Sequence, residues 1–196
     1  MGNETNERGR LLSLIADYCL EHGVGDLTLR AVGQAIGTNN RMLLYYFGSK
    51  EQLIAAALDE ATSRFPGIVD ALGQLDDHGR PLGERLDAVW RTLSASPNIV
   101  PIRLFFEVFG LAAHHPGRYG AYLDAIGREW VDRVAVALRV DGVPAPQARL
   151  LARELVALWR GLQFDLLSSG NRRAIDASHA HAAARINDTV AILRAT

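Results

Sequence analysis

The 196-residue sequence has a single cysteine, Cys19, which excludes an intrachain disulfide and fits a reducing compartment. Cys19 follows Ile15 and Leu12 on one helical face and reads as a packing thiol. No apolar run approaches the ~18–20 residues that a membrane-spanning helix needs. The chain opens with no signal-peptide pattern, so the expected location is the cytoplasm. Net charge is scarce as well: 21 Lys+Arg against 22 Asp+Glu leave a formal −1. Residues 1–50 carry five basic and five acidic side chains, so this end is not a basic domain. Non-specific nucleic-acid affinity should then be weak and strongly salt-dependent. There is no glycine-rich phosphate loop ending in Gly-Lys-Ser/Thr, no His-Glu-x-x-His and no Gly-x-Ser-x-Gly. The sequence therefore predicts no enzyme, no catalytic residue and no cofactor.

What is present is concentrated between Leu27 and Leu58. Leu29, Val32 and Ile36 recur at helical spacing behind Thr28, a good N-cap residue. Gly37 can take the left-handed conformation that ends a helix, and Thr38-Asn39 supplies a turn and a second cap. A helix over about Asn40 to Tyr46 turns Leu43 and Phe47 inward and leaves Arg41, Leu44 and Tyr45 outward. Ser49 with Gln52 three residues on is a capping box that opens a further helix. A helix–turn–helix requires this order, because its second helix must present its N-terminal residues to base edges in a major groove.

Gly37, Leu43, Phe47, Gly48-Ser49-Lys50-Glu51 and Leu53 together resemble the DNA-binding domain of the TetR family of bacterial transcriptional regulators. The motif resemblance spans roughly residues 10–60; beyond it, length and helix order agree. The family commonly has Tyr where this chain has Leu44, and often His where it has Tyr46. Leu44 offers no phosphate a hydroxyl, so phosphate contact is carried over to Tyr45, Tyr46 and Lys50, with Thr28 beside them. Asn39, Asn40, Arg41 and Met42 are the expected base-contacting residues. The resemblance implies a dimeric regulator, commonly a repressor, released from a palindromic operator by a small molecule. The alternative is a helical enzyme or carrier whose helix–turn–helix pattern is incidental.

The rest of the chain also reads as helical, giving an all-α fold. A three-helix head over 1–48 leads through a connecting helix, 49–65, into a larger ligand-binding and dimerisation domain, 49–196. The first helix is expected over about Glu7 to His22. Ile68, Val69, Leu72 and Leu75 suggest a short helix before Asp76-Asp77-His78, a solvated turn rather than a metal site. From Pro81 a helix carries Leu82, Leu86, Val89, Trp90 and Leu93 on one face. The helix over about Asn98 to Ala113 is apolar nearly all round, as the central helix of the second domain would be. Arg103 and Glu107 interrupt it; they could pair, or one could point into a cavity.

A long helix follows with Tyr119, Tyr122, Leu123, Ile126, Trp130, Val134 and Leu138 inward. The helix 145–168 has two apolar stripes, Leu151-Leu155-Leu158-Leu162 and Val156-Trp159-Phe164. The alanine-rich helix 172–194 has a seam of Ile175, Ala183, Ile186, Val190 and Leu193. These last two helices are the expected homodimer interface, with Ile186 and Val190 at its centre. His179 and His181, two apart, point to different faces and form no paired metal site. Every tryptophan lies in the second domain. Core packing accounts for any one aromatic side chain there. Taken as a set, Trp90, Phe105, Phe106, Phe109, Trp130, Trp159 and Phe164 suggest an aromatic cavity. Arg103, Glu107, Tyr122 and Gln163 are its candidate polar groups.

Overall fold

The computed structural model describes residues 2–195, and all of their side chains except those of residues 2–5, 68, 69, 118, 121–123, 125 and 126. The expected roles of Ile68, Val69, Tyr122, Leu123 and Ile126 therefore lie outside the described side chains. Among the described residues every regular element is helical. The α-helices are α1 (Gly2–His22), α2 (Leu29–Ala35), α3 (Asn40–Phe47), α4 (Lys50–Ser63), α5 (Pro66–Val69), α6 (Leu82–Leu93), α7 (Ile99–His114), α8 (Pro116–Val140), α9 (Ala145–Ser169) and α10 (Arg172–Arg194). Short 3-10 turns cover Ala71–Asp76 and Ser96–Asn98. None of the helices is long and apolar enough to cross a membrane.

Two compact units result, one of Met1–Pro66 and Val100–Leu123, the other of Gly67–Ile99 and Asp124–Thr196. In the first, Leu11, Ile15 and Cys19 of α1 share a core with Val32, Leu43, Phe47 and the α4 residues Leu53, Ile54, Ala57, Leu58 and Ala61. Leu104, Val108 and Ala112 of α7 complete that core. The boundary expected at residue 48 thus falls inside one packed body, and α7 packs with the N-terminal helices. An apolar helix announces that it is buried, but its composition does not say in which core. Arg64, just past α4, ties that helix to α1. Its guanidinium donates to the Ser13 carbonyl and hydroxyl at 2.9 Å each and pairs with Asp17.

The second unit is built around Leu86, Val89, Trp90 and Leu93 of α6, Val134 and Leu138 of α8, and α9 with α10. Arg85 is fully buried, donating to the Leu75 carbonyl at 2.6 Å and pairing with Asp141. His78 joins this pair, with Nδ1 3.1 Å from Asp141, while Asp76, Asp77, His78 and Gly79 are all exposed, as a solvated turn requires. Ile186 and Val190 also require a correction: at 9% and 2% exposed they are core residues of their own chain. Periodicity identified their shared face correctly but could not tell an intrachain neighbour from a partner subunit. The outward apolar residues are Leu150 and Phe164 on α9 and Ile192 on α10, each well over half exposed.

Candidate nucleic-acid interface

Three side-chain caps fix the helices of the interface. Thr28 is extended (φ −120°, ψ 145°) and its hydroxyl accepts from Ala31 N–H at 3.1 Å, starting α2. Asn39 (φ −131°, ψ 164°) starts α3 by accepting from Met42 N–H at 3.1 Å through Oδ1. Ser49 does the same for α4, accepting from Gln52 N–H at 3.1 Å. Caps of this kind contribute ~1 kcal/mol each. Only the forward half of the capping box forms, since Ser49 N–H donates instead to the Phe47 carbonyl at 2.9 Å.

The turn between α2 and α3 depends on two glycines for different reasons. Gly37 has φ +72°, the left-handed region in which an L side chain is strained. Gly33 is helical and buried, and its carbonyl accepts from Thr38 N–H at 2.8 Å. A Cβ at Gly33 would lie 3.1 Å from the Thr38 carbonyl oxygen, so α2 and the turn approach as closely as they do because it is absent. The sequence pattern drew attention to Gly37 and missed Gly33; a glycine inside so short a helix was the available signal.

These contacts leave one end of α3 outward. Asn39, Asn40 and Arg41 are exposed and Met42 is half-buried, while Leu43 and Phe47 fill the core beneath them. Thr28 is exposed at the start of α2. Tyr45 is 65% exposed, and its ring meets that of Tyr46 edge-on at 5.0 Å. Tyr46 is half-buried against the core. Leu44, without a hydroxyl, is 42% exposed beside them. Lys50 is the first residue of α4, where backbone N–H groups and a cation together suit a phosphate. Arg8 of α1 stands over the Phe47 ring, 5.2 Å from its centroid, and donates weakly to the Tyr46 carbonyl at 3.4 Å. It was not among the sequence candidates.

From residue 27 to residue 50 there are three basic side chains, Arg30, Arg41 and Lys50, and no acidic one, a local +3 within the balanced stretch 1–50. Local sign, not domain charge, decides what this surface attracts.

The sequence-derived ligand residues are distributed as follows. Arg103, Phe105, Phe106, Glu107 and Phe109 lie on α7 in the first unit; Trp90, Trp130, Trp159 and Gln163 lie in the second. Phe105, Phe106 and Phe109 form a ring cluster with centroids 5.5–6.5 Å apart, and Arg103 is exposed. Glu107 is engaged by the backbone of Val24, whose N–H donates to it at 2.6 Å. Trp90 and Trp159 are core residues, and Trp130 packs against that core. Trp90 Nε1 donates to Asp176 at 2.8 Å, and its ring stacks on His179 at 5.2 Å. His179 is buried and His181 exposed. Among the described residues no three His, Cys, Asp or Glu side chains are grouped as a metal site.

An exposed helix start held by a glycine turn over its own core is the geometry of a DNA-reading helix–turn–helix. Residues 12–57 match the family model described as bacterial regulatory proteins, tetR family. Solved structures share the fold over nearly the whole chain. A TetR transcription regulator from Haloarcula marismortui ATCC 43049 is 18% identical with a TM-score of 0.69, covering 94% of this chain and 98% of its own. GusR of Salmonella enterica is 18% identical with a TM-score of 0.71, covering 92% and 95%. The multidrug binding protein EbrR, complexed with imidazole, is 22% identical with a TM-score of 0.68, covering 92% and 89%. No curated protein matches the sequence. Residues 12–57 are thus similar to the DNA-binding domain of the tetR family of bacterial regulatory proteins, and the described chain has the all-helical fold of the solved regulators.

Proposed function

We propose that this chain is a homodimeric repressor that reads a two-fold symmetric operator through α3 and releases it on binding an apolar or aromatic small molecule. The observation that carries the reading is the outward end of α3. Arg41 reaches a guanine edge there, Met42 a thymine methyl, and Asn40 an adenine. Asn39 spends its carbonyl oxygen on the α3 cap, which leaves its amide as a donor only. Thr28, Tyr45, Tyr46 and Lys50 meet phosphates, which position the protein without reading sequence. Arg41→Ala should weaken binding by about 1–3 kcal/mol and relax preference at one base pair. Equal losses on selected and random DNA would remove Arg41 from base reading.

The dimer forms through the outer faces of α9 and α10. On α9, Leu150, Ala157, Gly161 and Phe164 recur along one exposed stripe. On α10, exposed Ala177, Ala184 and Ile192 allow close approach. Two such faces pair into a four-helix bundle.

The effector reading is supported within the second unit by polar groups left inside an apolar core. Among the described residues Trp159 Nε1 has no hydrogen-bond partner, and Gln163, one turn along α9, is also buried. Such groups suit a ligand with an acceptor on an apolar frame. Titrating aromatic compounds while following tryptophan emission and operator affinity together tests this. A compound that quenches emission yet binds equally well with and without operator refutes the coupling for that compound, because equal affinity shifts no equilibrium.

A further inference from the structure

Glu107 and Arg103 interrupt an otherwise apolar stretch of α7, and among the described residues of the first unit the Glu107 carboxylate meets backbone rather than a cation. Val24 N–H donates to Oε2 at 2.6 Å across 83 residues of sequence, a short charge-assisted bond. The site is shaped for it. Gly23 has φ +75°, and a Cβ there would lie 2.5 Å from Oε2 and 2.8 Å from Oε1. Gly23 N–H closes α1 by donating to the Cys19 carbonyl at 2.8 Å. The carboxylate sits at the negative end of α1, where the helix dipole disfavours it. Its placement is therefore not explained as a cap that stabilises α1.

The contact leads into the reading surface through packed neighbours. Val24 and Leu27 are buried at 0% and 3%, and Leu27 N–H donates to the Val24 carbonyl at 3.3 Å. Thr28, the next residue, caps α2, and α2 holds the α3 turn through the bond from Thr38 to Gly33.

We propose that Glu107 is a latch: its carboxylate holds the α1–α2 connection, residues 23–28, in the arrangement that lets α2 and α3 dock on DNA, so that the position of α7 sets DNA affinity. Glu107 is a positioning residue, since it acts through Val24. The inference rests on DNA binding by the head and needs no effector. A movement of α7 that withdraws the carboxylate frees the connection and weakens docking.

Cys19 supplies a local reporter. It is buried one turn before Gly23, and burial, followed by the Glu107 charge, pushes its thiol up to about 12. It is also the only cysteine, so labelling by a thiol reagent reads this place alone. The test compares wild type, Glu107→Ala, Glu107→Gln and Gly23→Ala in the full chain. The probe is a duplex selected by the wild-type protein from a random pool.

Glu107→Ala should lose roughly tenfold to a hundredfold in affinity, the size of a charge-assisted hydrogen bond, and label Cys19 at least ~10-fold faster. Glu107→Gln, which keeps an acceptor oxygen, should bind within ~3-fold of wild type, less than half of a tenfold step in free energy. Gly23→Ala, which crowds the carboxylate out, should follow Glu107→Ala; it keeps the test alive if that variant fails to fold. Wild-type affinity and labelling in Glu107→Ala would overturn the latch. A Glu107→Gln variant as weak as Glu107→Ala would overturn it too.

Discussion

Gly33 and Gly37 receive the same substitution in the prediction that most sharply separates two physical causes. Alanine at a helix-interior glycine ordinarily stabilises by about 0.5–1 kcal/mol. At Gly33 the added methyl meets the Thr38 carbonyl oxygen at 3.1 Å and the Asn39 Cα at 3.5 Å. Both are backbone, so neither can rotate aside. Overpacking of this kind costs about 1–3 kcal/mol. The difference leaves Gly33→Ala destabilised by up to about 2.5 kcal/mol, which is up to ~10 °C in melting temperature for a chain of this size. Asn39 is displaced with the turn, so affinity for the selected duplex falls as well.

Gly37 has nothing within 4 Å of a built Cβ, and there the cost is its φ of +72°. Alanine should cost roughly 1–2 kcal/mol at Gly37, and asparagine, which tolerates the left-handed region, should recover most of it. Asparagine at Gly33 should recover nothing, being larger still. Thermal melts of the four variants read the contrast. A Gly33→Ala protein more stable than wild type would refute the close-approach argument.

Four further outcomes follow from the described contacts. Phe164→Glu combined with Ile192→Glu should give monomers in size-exclusion chromatography with the helical content unchanged. Glu at Ile186 or Val190 should instead unfold the second unit, because those side chains are 9% and 2% exposed. His179 is held below its ordinary value, first by burial and then by the Arg91 charge, against opposing pulls from Asp87 and Asp176. The unfolded chain therefore binds more protons than the folded one just below pH ~6.5, and stability should fall as pH drops from 7 through that range. His179→Gln should flatten that slope in melts between pH 7 and pH 5, whereas an unchanged slope would reassign it to another group. Asn39→Ala should lower stability by about 1 kcal/mol through the lost α3 cap, in addition to any loss on DNA.

What the sequence made legible was local. Thr28, Asn39 and Ser49 sit where caps must sit, and each accepts the backbone N–H expected of it. The alternation of Leu43 and Phe47 with outward neighbours likewise follows from helical spacing. Partners distant in sequence were not legible. Glu107 read as a polar visitor to an apolar helix, since nothing near it announces a backbone amide 83 residues away. Ile186 and Val190 were assigned to the right face and the wrong neighbour. Trp90 and Trp159 lie within a core, where an aromatic side chain has the same sequence pattern as in a cavity lining. Arg85 had no sequence signal at all; its burial depends on Asp141 and two carbonyls brought together only by the fold.

The central claim, that the outward end of α3 reads DNA as one half of a symmetric pair, is tested most directly by selecting duplexes from a random-sequence pool. Wild-type protein should enrich a single two-fold symmetric motif whose half-site centres lie about 34 Å, or a multiple of that, apart. Arg41→Ala should lose preference at one symmetry-related pair of positions within that motif and keep the rest. An asymmetric motif, or no enrichment above the starting pool, would contradict the account.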